Sequence, residues 1–302
     1  MLVGITGASG LIGSQLCQAL EERGDEVIRF VRPETKSSAS KVVRWNPGSG
    51  DVDENDLRAA GGFDAVIHLA GAGIGDKRWS KSRKNEILNS RLNTTKLLVS
   101  ALQSMNSGVP HLLSGSAIGF YGSRGDESLT ETSSRGTGFL SEVCVEWENA
   151  AAPFASSGGS VAFLRTGIVM TKAGGALKKQ LPLFQLGLGG KLASGRQWIS
   201  PISLNDEIRS IIWTMDKKLS GPVNLVSPSP VTNAIFTKAL GAQLKRPTLL
   251  AVPGFALKIA LGSEMADQVV FSSTKVLPSL LEQSGFAFQQ RSIEEILNTS
   301  LS

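Results

Sequence analysis

Three glycines near the start of the chain have the spacing of a phosphate-binding turn. Gly7, Gly10 and Gly13 lie in the sequence TGASGLIG, after an apolar, strand-like run and at the start of a helical pattern. In such a turn the first glycine permits a tight bend, the second lets the backbone approach a pyrophosphate, and the third lets the helix pack on the strand. The helix N-terminus adds free N–H groups. The alternative is a purely structural turn. The turn residues predicted to bind a dinucleotide are Gly7, Ser9, Gly10, Leu11, Ile12 and Gly13.

The end of the second predicted strand indicates which dinucleotide is bound. The strand EVIRFVRP ends in Val31 and Arg32, with no acidic residue at the critical place. An Asp or Glu there would accept from the ribose hydroxyls of NAD, whereas an arginine accommodates the 2′-phosphate of NADP. Val31 and Arg32 are therefore predicted to contact NADP(H), with charge-assisted pairing of the guanidinium and the phosphate. The alternative is a solvated surface arginine, and Glu34 would repel a phosphate if the loop folded inwards.

Composition and charge exclude several other classes of function. The 302 residues are 41% hydrophobic and 19% charged, as is typical of a soluble globular protein. No apolar run approaches the roughly 18 residues of a membrane span, and the first residues do not resemble a secretion signal. Cys17 and Cys144 are far apart, which fits a reducing cytosol, and the two histidines lack metal-ligand spacing. The net charge of +5 is spread along the chain. We expect a cytoplasmic protein that takes a small-molecule substrate, without metal, nucleic acid or membrane.

Strand and helix patterns alternate through the first half of the chain. Parallel neighbours need a long crossover connection, which a helix supplies, so this order predicts an α/β fold: an NAD(P)-binding, Rossmann-like, doubly wound parallel sheet. Beyond this half the pattern becomes irregular and rich in glycine. We predict that residues 1–166 and 203–228 form the NADP-binding domain. Residues 167–202 and 229–302 are predicted to form a smaller, discontinuous C-terminal substrate domain.

Several segments together resemble one known family. They are DAVIHLAGAGI (Asp64–Ile74), DKRWSKSRKNEILNSRLNTT (Asp76–Thr95), SGSAIGFYG (Ser114–Gly122) and LRTGIV (Leu164–Val169). They look like the extended short-chain dehydrogenases/reductases, and within them the atypical epimerase branch, whose members are described as nucleoside-diphosphate-sugar epimerases. The resemblance covers nearly the whole chain, and it implies the fold and the cofactor predicted above.

The resemblance also implies roles for individual residues. The fourth-strand motif would place Leu69, Ala70 and Gly71 against the adenine side of the cofactor, and the sixth-strand segment would bring Gly167 and Ile168 to the nicotinamide end. From the charged helix that follows the fourth strand, two side chains are candidates for contacts with the cofactor phosphates or ribose, with a surface salt-bridge network as the alternative; they are Glu86 and Arg91.

The catalytic pair of the family is missing from this chain. Typical members use YxxxK, in which the tyrosine transfers a proton and the lysine lowers its pKa. The single tyrosine is Tyr121, and the usual Tyr and Lys positions fall on Phe139 and Val143, which cannot transfer a proton. Two candidates remain: Ser116, which matches the Ser or Thr of the fifth-strand motif, and Tyr121. The alternatives are a loop-capping serine and an aromatic side chain that packs under the second domain.

Two functions from different classes are consistent with these residues. The first is an NADP(H)-dependent oxidoreductase or epimerase-like enzyme acting on a nucleotide sugar or a small carbonyl or alcohol, with an unusual proton donor. The second is a catalytically silent NADPH-binding sensor or scaffold, which the loss of YxxxK favours. The long helices predicted at Ser82–Met105 and Ser141–Ala152 are where related proteins commonly pair, so a homodimer is a further expectation.

Overall fold

The computed structural model describes residues 1–35, 41–105 and 110–302. Its strands are β1 (Leu2–Thr6), β2 (Glu26–Val31), β3 (Val42–Asn46), β4 (Asp51–Val52), β5 (Ala65–His68), β6 (His111–Ala117), β7 (Ser128–Leu129), β8 (Ser160–Thr166), β9 (Ile168–Met170), β10 (Gly190–Leu192), β11 (Trp198–Ile199), β12 (Pro201–Ser203), β13 (Gly221–Leu225), β14 (Val231–Thr232), β15 (Leu250–Val252) and β16 (Lys275–Val276). Its helices are α1 (Leu11–Glu22), α2 (Glu54–Ala60), α3 (Lys81–Gln103), α4 (Phe139–Ala151), α5 (Gly175–Gln185), α6 (Leu204–Asp216), α7 (Asn233–Leu244), α8 (Gly254–Leu261), α9 (Ser263–Met265), α10 (Ser279–Gln283) and α11 (Ile293–Leu301).

Eight strands form one sheet in the order β13-β8-β6-β5-β1-β2-β3-β4. Every neighbouring pair is parallel except β3 and β4, which are antiparallel. The chain builds outwards from β1 to one edge and then returns to add β5, β6, β8 and β13 on the other side. The predicted Rossmann-like, doubly wound sheet is confirmed. Ligands of such sheets bind at the carboxyl ends of the strands where the order reverses, which here is between β1 and β5.

Helices cover both faces of this sheet, as continuous apolar strands require. On one face, α1 and α6 pack over β1 through a core that includes Leu16, Leu20 and Ile211. On the other face, α2, α3 and α4 pack through a second core that includes Leu98 and Leu102. Both helix layers leave the carboxyl edge of the sheet free for the loops that follow β1, β5, β6 and β8.

Residues 203–228 return to the main sheet, where they add α6 and the edge strand β13, paired in parallel with β8. The remaining C-terminal residues form short two-stranded pairs and helices around a separate core that includes Leu177, Phe184, Phe236 and Ile296. The division into two domains at the predicted boundaries stays a prediction. Within the described ranges, no helix is long and apolar enough to cross a membrane.

Candidate functional site

The turn between β1 and α1 has no room for side chains at two of its glycines. Gly7 has φ +68°, and a Cβ there would lie 2.8 Å from the carbonyl carbon of Leu69. A Cβ on Gly13 would lie only 2.2 Å from the Gly7 oxygen. Gly10 donates to that same oxygen (2.9 Å) and precedes α1 without a side-chain cap. Since Ser9 and Gly10 are exposed, the uncapped N–H groups of α1 face open space. This cradle fits a diphosphate.

Arg32 lies at the end of β2, beside the end of β1. Thr6 pairs with Phe30 across the two strands, so the residues that follow each strand are neighbours. Val31 is half-buried and Arg32 is exposed. Within the described part of the chain, the Arg32 guanidinium has neither a hydrogen bond nor an ion pair. An unpaired cation one strand away from the glycine turn is well placed to receive a ribose phosphate.

A buried histidine fixes the backbone opposite this turn. His68 Nδ1 lies 2.7 Å from Thr6 Oγ1, and the same hydroxyl oxygen accepts from the backbone N–H groups of Leu69 (3.1 Å) and Ala70 (3.3 Å). Burial, with a smaller contribution from the charge of Arg91, lowers the pKa of His68 to about 3. His68 is therefore neutral and structural, and it holds the predicted adenine-side residues against Gly7.

The loop after β5 is held by its carbonyl groups. Four successive carbonyl oxygens, from Ala72 to Gly75, each accept a hydrogen bond from a side chain. The donors are, in order, Arg91, Arg83, Trp79 and Lys179. Because these four carbonyl groups accept hydrogen bonds from side chains, the loop is held in one conformation next to the glycine turn.

The two charged helix residues predicted to contact the cofactor lie in different settings. Arg91 is buried, stacks 4.8 Å from the centre of the Trp147 ring, and donates to Ala72 O (3.0 Å). Burial lowers its pKa to about 10. Its side chain is 3.3 Å from a Cβ placed on Gly71, so it packs against the loop after β5. Glu86 is exposed and pairs with Arg83 at 2.7 Å. Cofactor contact by either residue stays a prediction.

Ser116 and Tyr121 both join a buried polar network. Arg165 donates to both carboxylate oxygens of Glu148, at 2.8 and 2.9 Å, and to the hydroxyl of Tyr121 at 2.9 Å. Ser116 donates to Glu148 (2.7 Å), and Tyr121 donates to Asn224 (2.7 Å). All five of these residues are buried. The network connects β6, β8, β13 and α4.

The hydroxyl groups of the two catalytic candidates, Ser116 and Tyr121, both donate to buried protein groups. Tyr121 has no exposed surface, and burial raises its pKa against the opposing effect of Arg165. Its proton is directed at Asn224, so a substrate could not receive it unless Asn224 or Arg165 moved. The Ser116 proton is likewise directed at Glu148. Catalysis by either residue stays a prediction, and for Tyr121 the environment favours the packing alternative.

A lysine ammonium lies beside Phe139, the residue at the family's usual tyrosine position. Phe139 begins α4 and meets the ring of Trp79 edge-on at 5.1 Å. The Lys84 ammonium lies 4.9 Å from the centre of the Phe139 ring and pairs with Glu264 at 2.8 Å. Val143, at the usual lysine position, is buried. The sequence did not predict that Lys84 lies beside Phe139, because the residue that pairs with Lys84, Glu264, is 180 residues away along the chain.

A cavity of about 380 Å³ lies between the loop after β6 and the C-terminal residues. Its lining includes Gly125, Asp126, Ser194, Arg196, Phe271 and Ser273. Arg196 is exposed, and its guanidinium has no hydrogen bond to the residues that the structure places around it. It can therefore hold an anionic group. Arg196 was not predicted as a site residue, because no motif in the sequence singles it out. The described ranges contain no cluster of side chains that could hold a metal ion.

The segment predicted to meet the nicotinamide lies above a buried acid. Gly167 N donates to Leu225 O (2.9 Å), and a Cβ on Gly167 would lie 2.5 Å from Ser200 O. The preceding residue, Thr166, donates from its hydroxyl to Glu207 Oε1 (2.9 Å). The other oxygen of Glu207 has no partner among the described residues. Burial raises the pKa of Glu207 to about 8, so the carboxyl is mainly neutral at pH 7.

Glu207→Gln is expected to raise the free energy of unfolding near pH 8 and to change it little near pH 5. Between pH 4.5, the ordinary value of the group, and its folded-state pKa of about 8, the folded protein keeps the proton that the unfolded chain releases. Stability therefore falls by about 1.4 kcal/mol per pH unit as the pH rises through this window. Glutamine cannot ionise, and it keeps an oxygen that accepts from Thr166.

Urea unfolding at both pH values measures this effect. The exposed Glu146→Gln is the matched control, which should track the unmodified protein at each pH. If Glu207→Gln loses stability with rising pH as steeply as the unmodified protein does, Glu207 is not the titrating group.

Comparison with known proteins agrees with this geometry. Residues 3–142 match the NAD dependent epimerase/dehydratase family, and residues 252–299 match a domain of unknown function, DUF1731. The epimerase family protein Mb2239 of Mycobacterium bovis is 43% identical over 297 residues, which are 98% of this chain and 96% of that protein.

Two solved structures extend the comparison. The human epimerase family protein SDR39U1 (isoform 2), solved with NADPH, is 27% identical with a TM-score of 0.89 over 99% of both chains. The nucleoside-diphosphate sugar epimerase from Corynebacterium glutamicum is 34% identical with a TM-score of 0.78; the match covers all of this chain and 58% of that one. The family resemblance inferred from the motifs is confirmed. On the sequence identity to its Mycobacterium relative over nearly the full length, this chain belongs to the epimerase family.

Proposed function

We propose that this protein is an NADP(H)-dependent oxidoreductase or epimerase-like enzyme that acts on a nucleotide sugar or on a small carbonyl or alcohol. The observation that carries the proposal is the glycine cradle beside an unpaired Arg32, because together they offer complementary sites for a diphosphate and a 2′-phosphate. The NADPH bound by the human relative supports the cofactor. The description of the Corynebacterium relative as a nucleoside-diphosphate sugar epimerase supports the substrate class.

The residues proposed to hold the cofactor belong to four segments at the carboxyl edge of the sheet and, for Glu86 and Arg91, to helix α3. The α1 turn takes the diphosphate, the end of β2 takes the adenosine ribose phosphate, the loop after β5 takes the adenine side, and the segment after β8 meets the nicotinamide. The proposed contacts are Gly7, Ser9, Gly10, Leu11, Ile12, Gly13, Val31, Arg32, Leu69, Ala70, Gly71, Glu86, Arg91, Gly167 and Ile168.

The chemistry requires a proton to move at the substrate oxygen. The bound nicotinamide supplies or accepts a hydride at the substrate carbon, and the oxygen on that carbon must gain or lose a proton at the same time. Lys84 is placed for this step: its ammonium stands over Phe139, at the family's usual tyrosine position, and is half-buried. Glu264 orients the ammonium. Ser116 and Tyr121 support the β6 end through their hydrogen bonds to Glu148 and Asn224, and their part in proton transfer stays a prediction.

Arg196 is proposed to recognise the charged part of the substrate. Its guanidinium borders the 380 Å³ cavity together with the aromatic ring of Phe271. A planar cation next to a ring is suited to a phosphate joined to a base or sugar. On this proposal, we expect the protein to prefer nucleotide sugars over uncharged carbonyls.

A substrate panel tests the reaction. Protein loaded with NADPH is mixed with nucleotide sugars and small carbonyls, while NADPH absorbance reports net reduction and NMR reports epimers, since an epimerase regenerates its cofactor. We expect conversion of at least one nucleotide sugar, and we expect Lys84→Met to slow it by at least about a hundredfold. Tight NADPH binding without conversion of any compound would contradict the enzymatic proposal.

The second candidate function is an NADPH-binding sensor or scaffold that performs no turnover. One observation favours it: the hydroxyls of Ser116 and Tyr121 are buried and engaged, and Phe139 and Val143 replace the usual catalytic pair. A sensor predicts that NADPH changes protection from proteolysis in the loop after β5 while no compound is converted.

A further inference from the structure

Large exposed apolar side chains are concentrated in one region of the chain. Apart from Met1, the large hydrophobic residues of the described ranges that are clearly exposed all lie between Leu183 and Val269. The four most exposed are Leu249 (92%), Leu186 (73%), Ile259 (71%) and Phe255 (70%). Isolated exposed leucines are ordinary, but a contiguous group marks an interaction site.

Backbone contacts bring five of these leucines together into what we call the apolar ridge. Its members are Leu183, Leu186, Leu188, Leu249 and Leu250. Leu188 N donates to Leu183 O (2.9 Å), so the turn after α5 folds back on the helix. A Cβ on Gly187 would touch Pro247 at 3.8 Å, and Gly190 pairs with Leu250 in the parallel β10–β15 ladder. The two halves of the ridge are therefore adjacent.

Helix α8 continues this surface directly after β15. Its sequence is GFALKIAL, and none of its residues is buried. Phe255 and Ile259 are four residues apart and therefore lie on the same side of the helix. Although α8 packs against the residues that follow it, Phe255 and Ile259 remain largely exposed, so one apolar side of the helix faces solvent.

The same part of the chain carries a strong excess of positive charge. Residues 167–202 contain five basic residues and no acidic one, and residues 229–270 contain four basic and two acidic residues. The whole chain has a net charge of only +5, so the rest of it is slightly acidic. Lys191 follows Gly190 on β10, and Lys245 and Arg246 shortly precede the second half of the ridge. Lys258 lies within α8, where it pairs with Asp267 at 2.8 Å.

We propose that the apolar ridge and α8, with their lysines, form a docking surface for a bilayer that contains anionic lipid. Leucine, isoleucine and phenylalanine side chains insert between headgroups while surrounding lysines pair with lipid phosphates, which is the physical pattern of interfacial binding. Protein interfaces differ in composition, because lysine is depleted from them and leucine contributes little to their hot spots. A second copy of this chain would present the same positive face and be repelled.

This surface revises the expectation that the protein has no membrane partner. That expectation followed from the lack of an apolar run of about 18 residues, which concerns only segments that span the bilayer. Surface binding needs exposed side chains from several segments, and these become neighbours only in the folded chain. The proposal does not depend on the catalytic function.

Vesicle sedimentation tests the proposal. The full chain is mixed with vesicles of phosphatidylcholine alone and with vesicles that also contain phosphatidylglycerol. We expect binding to the mixed vesicles, at least about tenfold weaker binding to the neutral ones, and a marked decrease at high salt. Leu249→Ser combined with Phe255→Ser should weaken binding at least about tenfold, because both side chains are exposed and no core is disturbed.

Charge variants and a self-association measurement complete the test. Lys191→Glu and Lys245→Glu should each weaken binding several-fold, whereas Lys96→Glu, an exposed lysine on α3, is the matched control and should not. NADPH binding by each variant checks that it is folded. The proposal is overturned if neither vesicle binds the protein, or if all three lysine variants behave alike. It is also overturned if analytical ultracentrifugation shows a dimer that Leu249→Ser abolishes while vesicles are not bound.

Discussion

Glu148→Ala is expected to lower the free energy of unfolding by about 3–5 kcal/mol, because it leaves the buried Arg165 guanidinium without its carboxylate partner. The Arg165 guanidinium is 3% exposed, and both oxygens of Glu148 accept from it. Without the carboxylate, Arg165 remains in a low-dielectric site, where only the Tyr121 hydroxyl accepts from it among the described residues. Ser116 also loses its acceptor. Urea unfolding monitored by tryptophan fluorescence measures the loss.

Two further variants separate the cost of the unpaired Arg165 charge from the general cost of shortening a side chain to alanine. The double variant Glu148→Leu with Arg165→Met removes both charges and should be much closer to the unmodified protein than the single variant is. Glu127→Ala removes the exposed partner of Arg124 and should change stability by less than about 1 kcal/mol. If Glu148→Ala is as mild as Glu127→Ala, the pair does not anchor the β6 end, and the support role given to Ser116 and Tyr121 fails with it.

Gly13→Ala should weaken NADPH binding by at least about a hundredfold while most of the fold persists. The new Cβ would lie 2.2 Å from Gly7 O and 3.0 Å from Ala8 Cα. Both are backbone atoms, so the turn or the start of α1 must shift, and the donors of the cradle move with them. Losing two hydrogen bonds to a charged diphosphate, each worth about 1.5–3 kcal/mol, is enough for an effect of this size. NADPH fluorescence titration measures binding, and circular dichroism checks the fold.

Gly254→Ala is the matched glycine control for this experiment. A Cβ at Gly254 would meet Phe271 at 3.5 Å and Ala193 at 3.6 Å, which are ordinary contacts. It should therefore bind NADPH like the unmodified protein. If Gly13→Ala also retained full affinity, the glycine turn would be structural only.

Features that depend on neighbours in sequence were predictable. Local sequence patterns bounded by turn residues predict strands at Leu2–Thr6 and Glu26–Val31 and a helix at Glu54–Ala60, and the structure confirms these bounds for β1, β2 and α2. Strand β6 is longer than its apolar run His111–Ser114, since Gly115, Ser116 and Ala117 continue to pair with β8. Glycine, serine and alanine carry little apolar side-chain surface, so a hydrophobicity pattern does not extend the strand over them. Cytoplasmic location and pairing through α3 and α4 stay predictions.

Features that depend on distant segments were not predictable. Tyr121 is the single tyrosine of the sequence, but its hydroxyl donates to Asn224 on β13, which is more than one hundred residues further along the chain. Lys84 lay within a charged run whose members looked alike, and only its contact with Glu264 distinguishes it. No local pattern in one sequence marks such pairings.

The ratio of NADH to NADPH dissociation constants tests most directly whether the glycine turn and Arg32 hold NADP(H). We expect the unmodified protein to bind NADPH at least about tenfold more tightly than NADH, because the unpaired Arg32 meets a phosphate that NADH lacks. Arg32→Asp should abolish this preference by weakening NADPH alone. Equal affinities in the unmodified protein, or equal losses for both nucleotides in the variant, would contradict the claim.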